Sequence, residues 1–465
     1  MVKLGQVPTP DKYVQTLLDS AGYISNIAGK KVLENSCGEG NVLIEIVRRY
    51  ILDCQRRELP LEDIRNGLMA DIIAYDVDEN AVYTTIKLLD KLCAEFNIEP
   101  VSWNIKCEDY LMQDAGEYDY IIGNPPYITY HDLSVDKRKL LKETFQSCKN
   151  GRFDYSYAFI EKSIRDLSEN GKLSYLIPFN VFRNKYAKDL REILLTSLCS
   201  VINYSGIEVF PNRTIGAAII VCKNETSNKI LYKRPFDNVD KFVKKEDLHH
   251  KWIFEGDIRA TSKQKFGDYF DVYNSVATLR NSVFLLKEYR CEKDFTIIGD
   301  YKIENQLIFD AVSPRSFKLN KRYKIIFPYN VKNDEVKSIT EDEFKKNFSY
   351  GYNYLLNNKV ELEKRDTYSY WYEYGRSQAL TSIFKEKLIV SMIVSGRITA
   401  YYSGKKEVPY AGYYIVAKTK RFSLKDAARI IESKEFFDYA KCVGTPTTKN
   451  SYRLSVDDIL QYPLS

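Results

Sequence analysis

Between residues 31 and 222, short apolar runs of strand length alternate with longer amphipathic stretches, and this order leaves few folds open. Lys31-Val32-Leu33, Ile72-Ile73-Ala74-Tyr75, Trp103-Asn104-Ile105-Lys106-Cys107, Tyr120-Ile121-Ile122, Leu173 to Pro178 and Ala217 to Cys222 read as strands. Val42 to Val47, Glu79 to Cys93, Tyr157 to Leu167 and Tyr186 to Leu195 read as helices. Strands that are apolar throughout need cover on both faces, which helices between successive parallel strands provide. The expected fold class is therefore α/β, a doubly wound, mostly parallel sheet. A chain of 465 residues exceeds one typical core. The polar stretch Lys223 to Lys229 reads as an exit, giving a first domain over 1–230 and a mixed α+β domain over 231–465. A helical pattern from Leu424 to Ala440 lies near the end of the second.

One strand ends abnormally. Tyr118-Asp119-Tyr120-Ile121-Ile122-Gly123 runs straight into Asn124-Pro125-Pro126-Tyr127. Two prolines fix the backbone and remove two amide donors, so the strand must stop there. The rigid stub presents an amide side chain, a proline carbonyl and an aromatic ring. That set suits a planar amine held by two acceptors while a ring stacks on its face.

Composition narrows the chemistry. Nine cysteines are scattered without a CxxC pair, and only His131, His249 and His250 supply imidazole. No metal site and no disulfide framework is expected; the thiols read as reduced, in a cytoplasmic protein. Met1 to Gln6 lacks the apolar core of a signal peptide, and no apolar run is long enough to span a bilayer. Residues 1–230 hold 28 Lys and Arg against 32 Asp and Glu (net −4), whereas residues 231–465 hold 41 against 31 (net +10). A basic, tyrosine-rich second half is the pattern of a nucleic-acid surface, although a merely solvated basic surface would look the same. Within it, Trp371-Tyr372-Glu373-Tyr374-Gly375-Arg376-Ser377-Gln378 is either a set of base-edge readers or an aromatic packing cluster. Lys405-Lys406 faces phosphate or only solvent.

Glu34-Asn35-Ser36-Cys37-Gly38-Glu39-Gly40-Asn41 follows a strand and opens a helix, so its glycines would let backbone approach a ligand. Read alone, the two glycines are explained better by a tight turn. Asp76 and Asp109 each end a following strand. Singly either acid reads as a helix cap; together they can accept ribose hydroxyls and an exocyclic amine.

This ordered set resembles the class I S-adenosylmethionine-dependent methyltransferases, and among them the gamma group of TaqI-like DNA adenine-N6 methyltransferases. Gln6-Val7-Pro8-Thr9-Pro10 resembles the cofactor-lid motif, and Leu33 to Gly40 is similar to the glycine-rich motif. Ala74-Tyr75-Asp76-Val77-Asp78 matches the ribose acid, Glu108-Asp109-Tyr110 the adenine contact, and Asn124-Pro125-Pro126-Tyr127 the catalytic motif. Glu208-Val209-Phe210-Pro211-Asn212-Arg213 resembles a later motif whose phenylalanine packs on the target base. Two departures stand out: Asn35 replaces a usual proline, and Asp76 a commoner glutamate. Phe266-Gly267-Asp268 and the stretch from Tyr452-Arg453-Leu454 to Pro463-Leu464 resemble, more loosely, parts of the recognition domains.

The resemblance implies S-adenosyl-L-methionine held by Thr9, Glu34, Ser36, Cys37, Gly38, Gly40, Asp76, Val77, Asp109, Tyr110 and Asn124. It implies catalysis by Asn124, Pro125 and Tyr127, with Tyr127, Phe210 and Arg213 on the substrate. The substrate would be an adenine flipped from double-stranded DNA, since an amine inside a duplex cannot enter such a pocket. The domain over 231–465 would recognise the target, and a cognate restriction endonuclease could act separately on the same site. A monomer suffices for this task. Asn-Pro-Pro-Tyr also serves methylation of RNA and of release-factor glutamine, but those enzymes usually carry no comparable second domain. A non-catalytic DNA-specificity subunit would be expected to lose Asn124, Asp109 or the glycines, and all are present.

Overall fold

The computed structural model describes residues 8–210, 216–248, 251–255, 264–332, 335–365, 369–376, 379–380, 382–448 and 451–464. They fall into two compact units, Met1–Glu255 with Thr445–Lys449, and Gly256–Gly444 with Asn450–Ser465. Among the described residues no helix is long and apolar enough to cross a membrane.

The first unit is built on a nine-stranded sheet. Its strands are β1 (Val32–Glu34), β2 (Ile72–Asp76), β3 (Asn104–Cys107), β4 (Tyr118–Gly123), β5 (Leu167–Pro178), β6 (Leu198–Asn203), β7 (Ala217–Lys223), β8 (Lys229–Arg234) and β9 (Val239–Lys244). They lie in the order β3-β2-β1-β4-β5-β7-β6-β8-β9. The pairs from β3 through to β5 are parallel, as is β6 with β8; β7 inserts antiparallel between β5 and β6, and β9 closes the edge antiparallel. The sheet is α/β and mostly parallel, as the alternation predicts. Lys223 to Lys229 differs from its expected role: it is a connection inside this sheet, because β8 and β9 extend it.

Helices cover the faces as their spacing requires. α1 (Asp11–Ala21) buries Val14, Leu17, Leu18 and Ala21, and α2 (Asn41–Arg56) buries Leu43, Ile46, Val47, Tyr50 and Ile51, each set falling on one helix face. α3 (Leu61–Asp71) and α4 (Glu79–Glu95) complete the β1-to-β3 half. Beyond β4 come α5 (Val135–Thr144), α6 (Ser156–Arg165) and α7 (Lys188–Ser197). β1 is wholly buried and pairs β2 on one side and β4 on the other. Chain order reverses there, so the loops after β1 and β4 diverge and open a crevice at the strands' carboxyl ends.

The second unit contains two four-stranded sheets. One orders Phe270–Asn274, Tyr413–Ala417, Lys387–Val390 and Tyr401–Ser403, all antiparallel. The other orders Leu285–Leu286, Tyr323–Ile326, Ile308–Val312 and Glu407–Pro409, the last pair parallel. Its core takes in Trp371, Tyr372 and Tyr374, exposed by only 8%, 0% and 2%. The Tyr372 and Tyr374 hydroxyls donate to the Ile339 and Ile326 carbonyls at 2.6 and 2.7 Å. The aromatics of this stretch are therefore a packing cluster, whereas Arg376 is exposed; Ser377 and Gln378 lie outside the described residues. Lys405 and Lys406 sit exposed in a turn. The helical pattern from Leu424 breaks into Leu424–Ile431 and Lys434–Val443, because the Ser433 hydroxyl accepts the Phe436 amide at 3.1 Å and caps the second.

Candidate active site

The turn after β1 is shaped by its two glycines. Gly38 and Gly40 adopt φ of 52° and 86°, in the left-handed region. A Cβ on Gly40 would meet Thr85 at 3.0 Å, whereas one on Gly38 would enter open space. The Thr85 hydroxyl donates to the Gly38 carbonyl at 2.8 Å and the Cys37 amide to the Tyr75 carbonyl at 3.0 Å, tying the turn to α4 and β2. Asp76, ending β2, accepts the Gly38 amide on Oδ2 at 2.8 Å and the Asp78 amide on Oδ1 at 2.9 Å. Its carboxylate is thus aimed by the turn, and each oxygen keeps a further lone pair.

Glu34 is the anomaly of the turn. It is 2% exposed and its Oε2 has no hydrogen-bond partner. Burial, with Asp76 adding repulsion, pushes its carboxyl well above the ordinary range; the Leu43 amide opposes this. A buried carboxyl with an open acceptor at the mouth of a glycine turn is suited to a ligand that brings a donor. Cys37 lies beside it, and burial raises its thiol further from ionisation. Thr9, 3% exposed, precedes α1.

Asn124 to Tyr127 follow β4 directly. The Ser36 hydroxyl donates to the Asn124 carbonyl at 3.2 Å, so the glycine turn and the proline stub are in contact. Tyr127 hydroxyl lies 2.5 Å from Asn124 Oδ1 and 2.6 Å from the Leu176 carbonyl. Burial pushes its ionisation far upward, Asp154 contributing, so it stays a neutral donor. The stub's exit is fastened by the Tyr155 amide donating to the Ile128 carbonyl at 3.0 Å and by a bridge between Thr129 and Asp154.

The Phe210 ring stands 6.3 Å from that of Tyr127, tilted by 68°, and is 2% exposed. A base stacked between two rings needs two stacking distances of roughly 3.5 Å, about 7 Å in all, with the rings parallel. Phe210 therefore packs in the core here, and a base can enter only if the rings part. Arg213 lies outside the described residues, as do Gln6 and Val7.

Asp109 is placed at the carboxyl end of β3, but with partners the sequence does not announce. Lys137 of α5 donates to Oδ2 at 2.5 Å and the Leu111 amide to Oδ1 at 3.0 Å. Tyr110 turns into the core, its hydroxyl donating to Asp166 at 2.7 Å, whereas the Val77 side chain is 71% exposed just beyond Asp76. Asn35 explains its own departure from proline. It is 3% exposed, and its amide nitrogen donates to the Ser163 hydroxyl at 2.9 Å and the Tyr175 hydroxyl at 2.5 Å, behind the turn. Lys137, Ser163, Tyr175 and Asp154 are the site residues that sequence reasoning missed; they come from elements remote in sequence and carry no motif.

This sheet order, with its crevice at the switch point, is a class of α/β fold that known restriction-modification enzymes share. The chain superposes on the Type IIL restriction-modification enzyme MmeI, solved in complex with DNA, with a TM-score of 0.64 at 12% identity, covering 97% of this chain and 64% of that one. Residues 48–210 match the family model described as Eco57I restriction-modification methylase. Among similar proteins is the Type II restriction enzyme and methyltransferase RM.Eco57I of Escherichia coli, 25% identical over 70% of this chain and 38% of that protein. Another is the Type II methyltransferase M.HincII of Haemophilus influenzae, 24% identical over 95% of this chain and 85% of its own. A third, M.TthHB8I of Thermus thermophilus, is 33% identical over 47% of this chain and 44% of its own. The chain spans 38% and 59% of the lengths of RM.Eco57I and M.AccI, two of the curated relatives it matches.

Proposed function

We propose that the chain is a DNA methyltransferase of a restriction-modification system, using S-adenosyl-L-methionine to methylate the N6 amine of an adenine flipped from double-stranded DNA. The observation that carries this reading is the contact of the Asn124-Pro125-Pro126-Tyr127 stub with the glycine turn through Ser36 and Asn124. It brings an amine-holding motif against a nucleotide-type cradle.

The residues present fit the cofactor. Glu34, with its unpartnered Oε2, would take the amino group of its methionine part, and Asp76 the ribose hydroxyls through its remaining lone pairs. Asp109 would accept the adenine amine, and Gly38 leaves room for close approach. When bound there, the cofactor supplies an electrophilic methyl group on a sulfonium. The amine of the target adenine is a poor nucleophile because its lone pair is delocalised into the ring. Asn124 Oδ1 and the Pro125 carbonyl each accept one of its hydrogens, favouring a pyramidal nitrogen whose lone pair is freed for in-line attack. The Tyr127 ring stacks on the base, an interaction of roughly 1–3 kcal/mol that offsets part of the cost of flipping.

The test is to incubate DNA with the protein and S-adenosylmethionine, digest it, and look for N6-methyldeoxyadenosine by mass spectrometry. Asn124→Ala should lower the rate by about 10²-fold or more, the scale of losing one preorganised acceptor. Cofactor affinity should change far less. No methylated adenine, or an equal yield from the variant, would defeat the reading; methylated RNA or release-factor glutamine in its place would redirect it.

A further inference from the structure

The second unit holds a cleft of about 980 Å³ that the reaction above does not use. Four cations line it from four segments: Lys287 beyond the strand Leu285–Leu286, Arg315 on the helix Pro314–Lys318, Lys321 in the turn after it, and Arg453 ending the strand Ser451–Arg453. All four residues are exposed, and no Asp or Glu lines the cleft. Among the described residues none of the four has an ion-pair partner. Nearby Lys324, by contrast, pairs with Asp310 at 2.9 Å. The surrounding chain is biased the same way: residues 311–333 contain six Lys and Arg and no acid.

Some of the neutral hydroxyls of the cleft are occupied with one another. The Ser313 hydroxyl donates to Tyr410 at 3.0 Å, and the Ser316 hydroxyl to the Ser313 carbonyl at 3.0 Å. The dominant feature left to bind a ligand is positive charge with no lining acid to balance it. One small anion would be saturated by two or three such side chains, whereas four charges from four segments match a repeating polyanion.

We propose that Lys287, Arg315, Lys321 and Arg453 form a track that holds the sugar–phosphate backbone of duplex DNA without reading its sequence. This rests on the reading of the chain as a DNA-modifying enzyme and adds where the backbone is held. Contacts from such exposed cations to phosphate carry no base code, so the cleft positions the duplex and leaves base discrimination to other residues.

The test is salt-dependent binding of the full chain to a fluorescent duplex of about 30 base pairs, between roughly 50 and 200 mM NaCl. The variants are Lys287→Gln, Arg315→Gln, Lys321→Gln, Arg453→Gln and the four combined. The slope of log affinity against log salt should flatten by roughly 0.9 for each charge removed, equally for methylatable and unrelated duplexes. An unchanged slope in the combined variant, with wild-type thermal melting showing that it is folded, would overturn the track. So would inorganic phosphate that displaces the duplex beyond its ionic-strength effect, since that marks a discrete small-anion pocket. If the wild type methylates no DNA yet the slopes fall as stated, the functional reading fails and the track stands. If it methylates DNA and the slopes do not move, the track fails and the reading stands.

Discussion

Tyr127 faces two carbonyl oxygens with a single proton. Its hydroxyl lies within hydrogen-bond distance of both Asn124 Oδ1 and the Leu176 carbonyl, yet it can donate to only one at a time. Before substrate arrives the proton can rest on Asn124; once an amine hydrogen claims Oδ1, the hydroxyl can turn to Leu176 at little cost. On the proposed function, Tyr127 would be both stacking surface and orienting partner. Tyr127→Phe keeps the ring and removes the proton, so turnover should fall about tenfold, the worth of one hydrogen bond, with the KM for DNA little changed. Steady-state kinetics separate the two, and a loss confined to KM would mean that only the ring matters. At this scale the sequence was informative where residue type and chemistry coincide, as at Asn124 and Asp76. It was silent on Lys137 and Asn35, because the first partners an acid 28 positions away and the second spends its amide on Tyr175, 140 positions away.

At the scale of elements, the turn between β1 and α2 has two glycines of different kinds. Gly40→Ala would put a methyl against Thr85 and a left-handed φ on a residue with a side chain. It should cost about 1–2 kcal/mol, seen calorimetrically as a melting point lower by roughly 2–8 °C. Gly38→Ala meets no atom within 4 Å, so its melting shift should be the smaller of the two while cofactor affinity, read by calorimetric titration, drops. Equal melting shifts with unaltered cofactor binding would mean that the turn is only structural. The apolar strands β1, β2 and β7, and the Ile121–Ile122 end of β4, could be read from the chain because burial on both faces favours apolar runs. α5 could not: only Leu141 is buried, so it carries no periodic stripe. β6 follows α7 with no intervening residue, and the helical pattern runs into it unbroken. The aromatics at Trp371 to Tyr374 were undecidable, since buried and base-stacking rings share a composition and only long-range packing separates them.

For the molecule as a whole, Asp154 writes a pH dependence into stability. Burial pushes its carboxyl up to about 6, against two bonds from Ser156 that favour the charged form. The ordinary value is about 3.9, so the folded protein holds this proton more tightly than the unfolded chain. That contribution is complete below about pH 4 and lost as the pH rises through about 6. Wild type should therefore lose stability relative to Asp154→Asn between about pH 4 and 7, measured as a widening gap in denaturant midpoints; a constant gap would assign the burial no role. The charge imbalance between the halves was plain from composition, but the cleft in which four cations meet was not. It is assembled from segments as far apart as Lys287 and Arg453.

The hydroxyl of Ser36 on the carbonyl of Asn124 has a consequence of another kind. On the proposed function this bond joins two ligand loops and makes each a report on the other, and equilibrium thermodynamics demands that such influence be mutual. Whatever factor a bound cofactor would add to the grip on a target duplex, the duplex would return to the cofactor. Four equilibrium constants around that square then have only three independent values, and the fourth is fixed before it is measured.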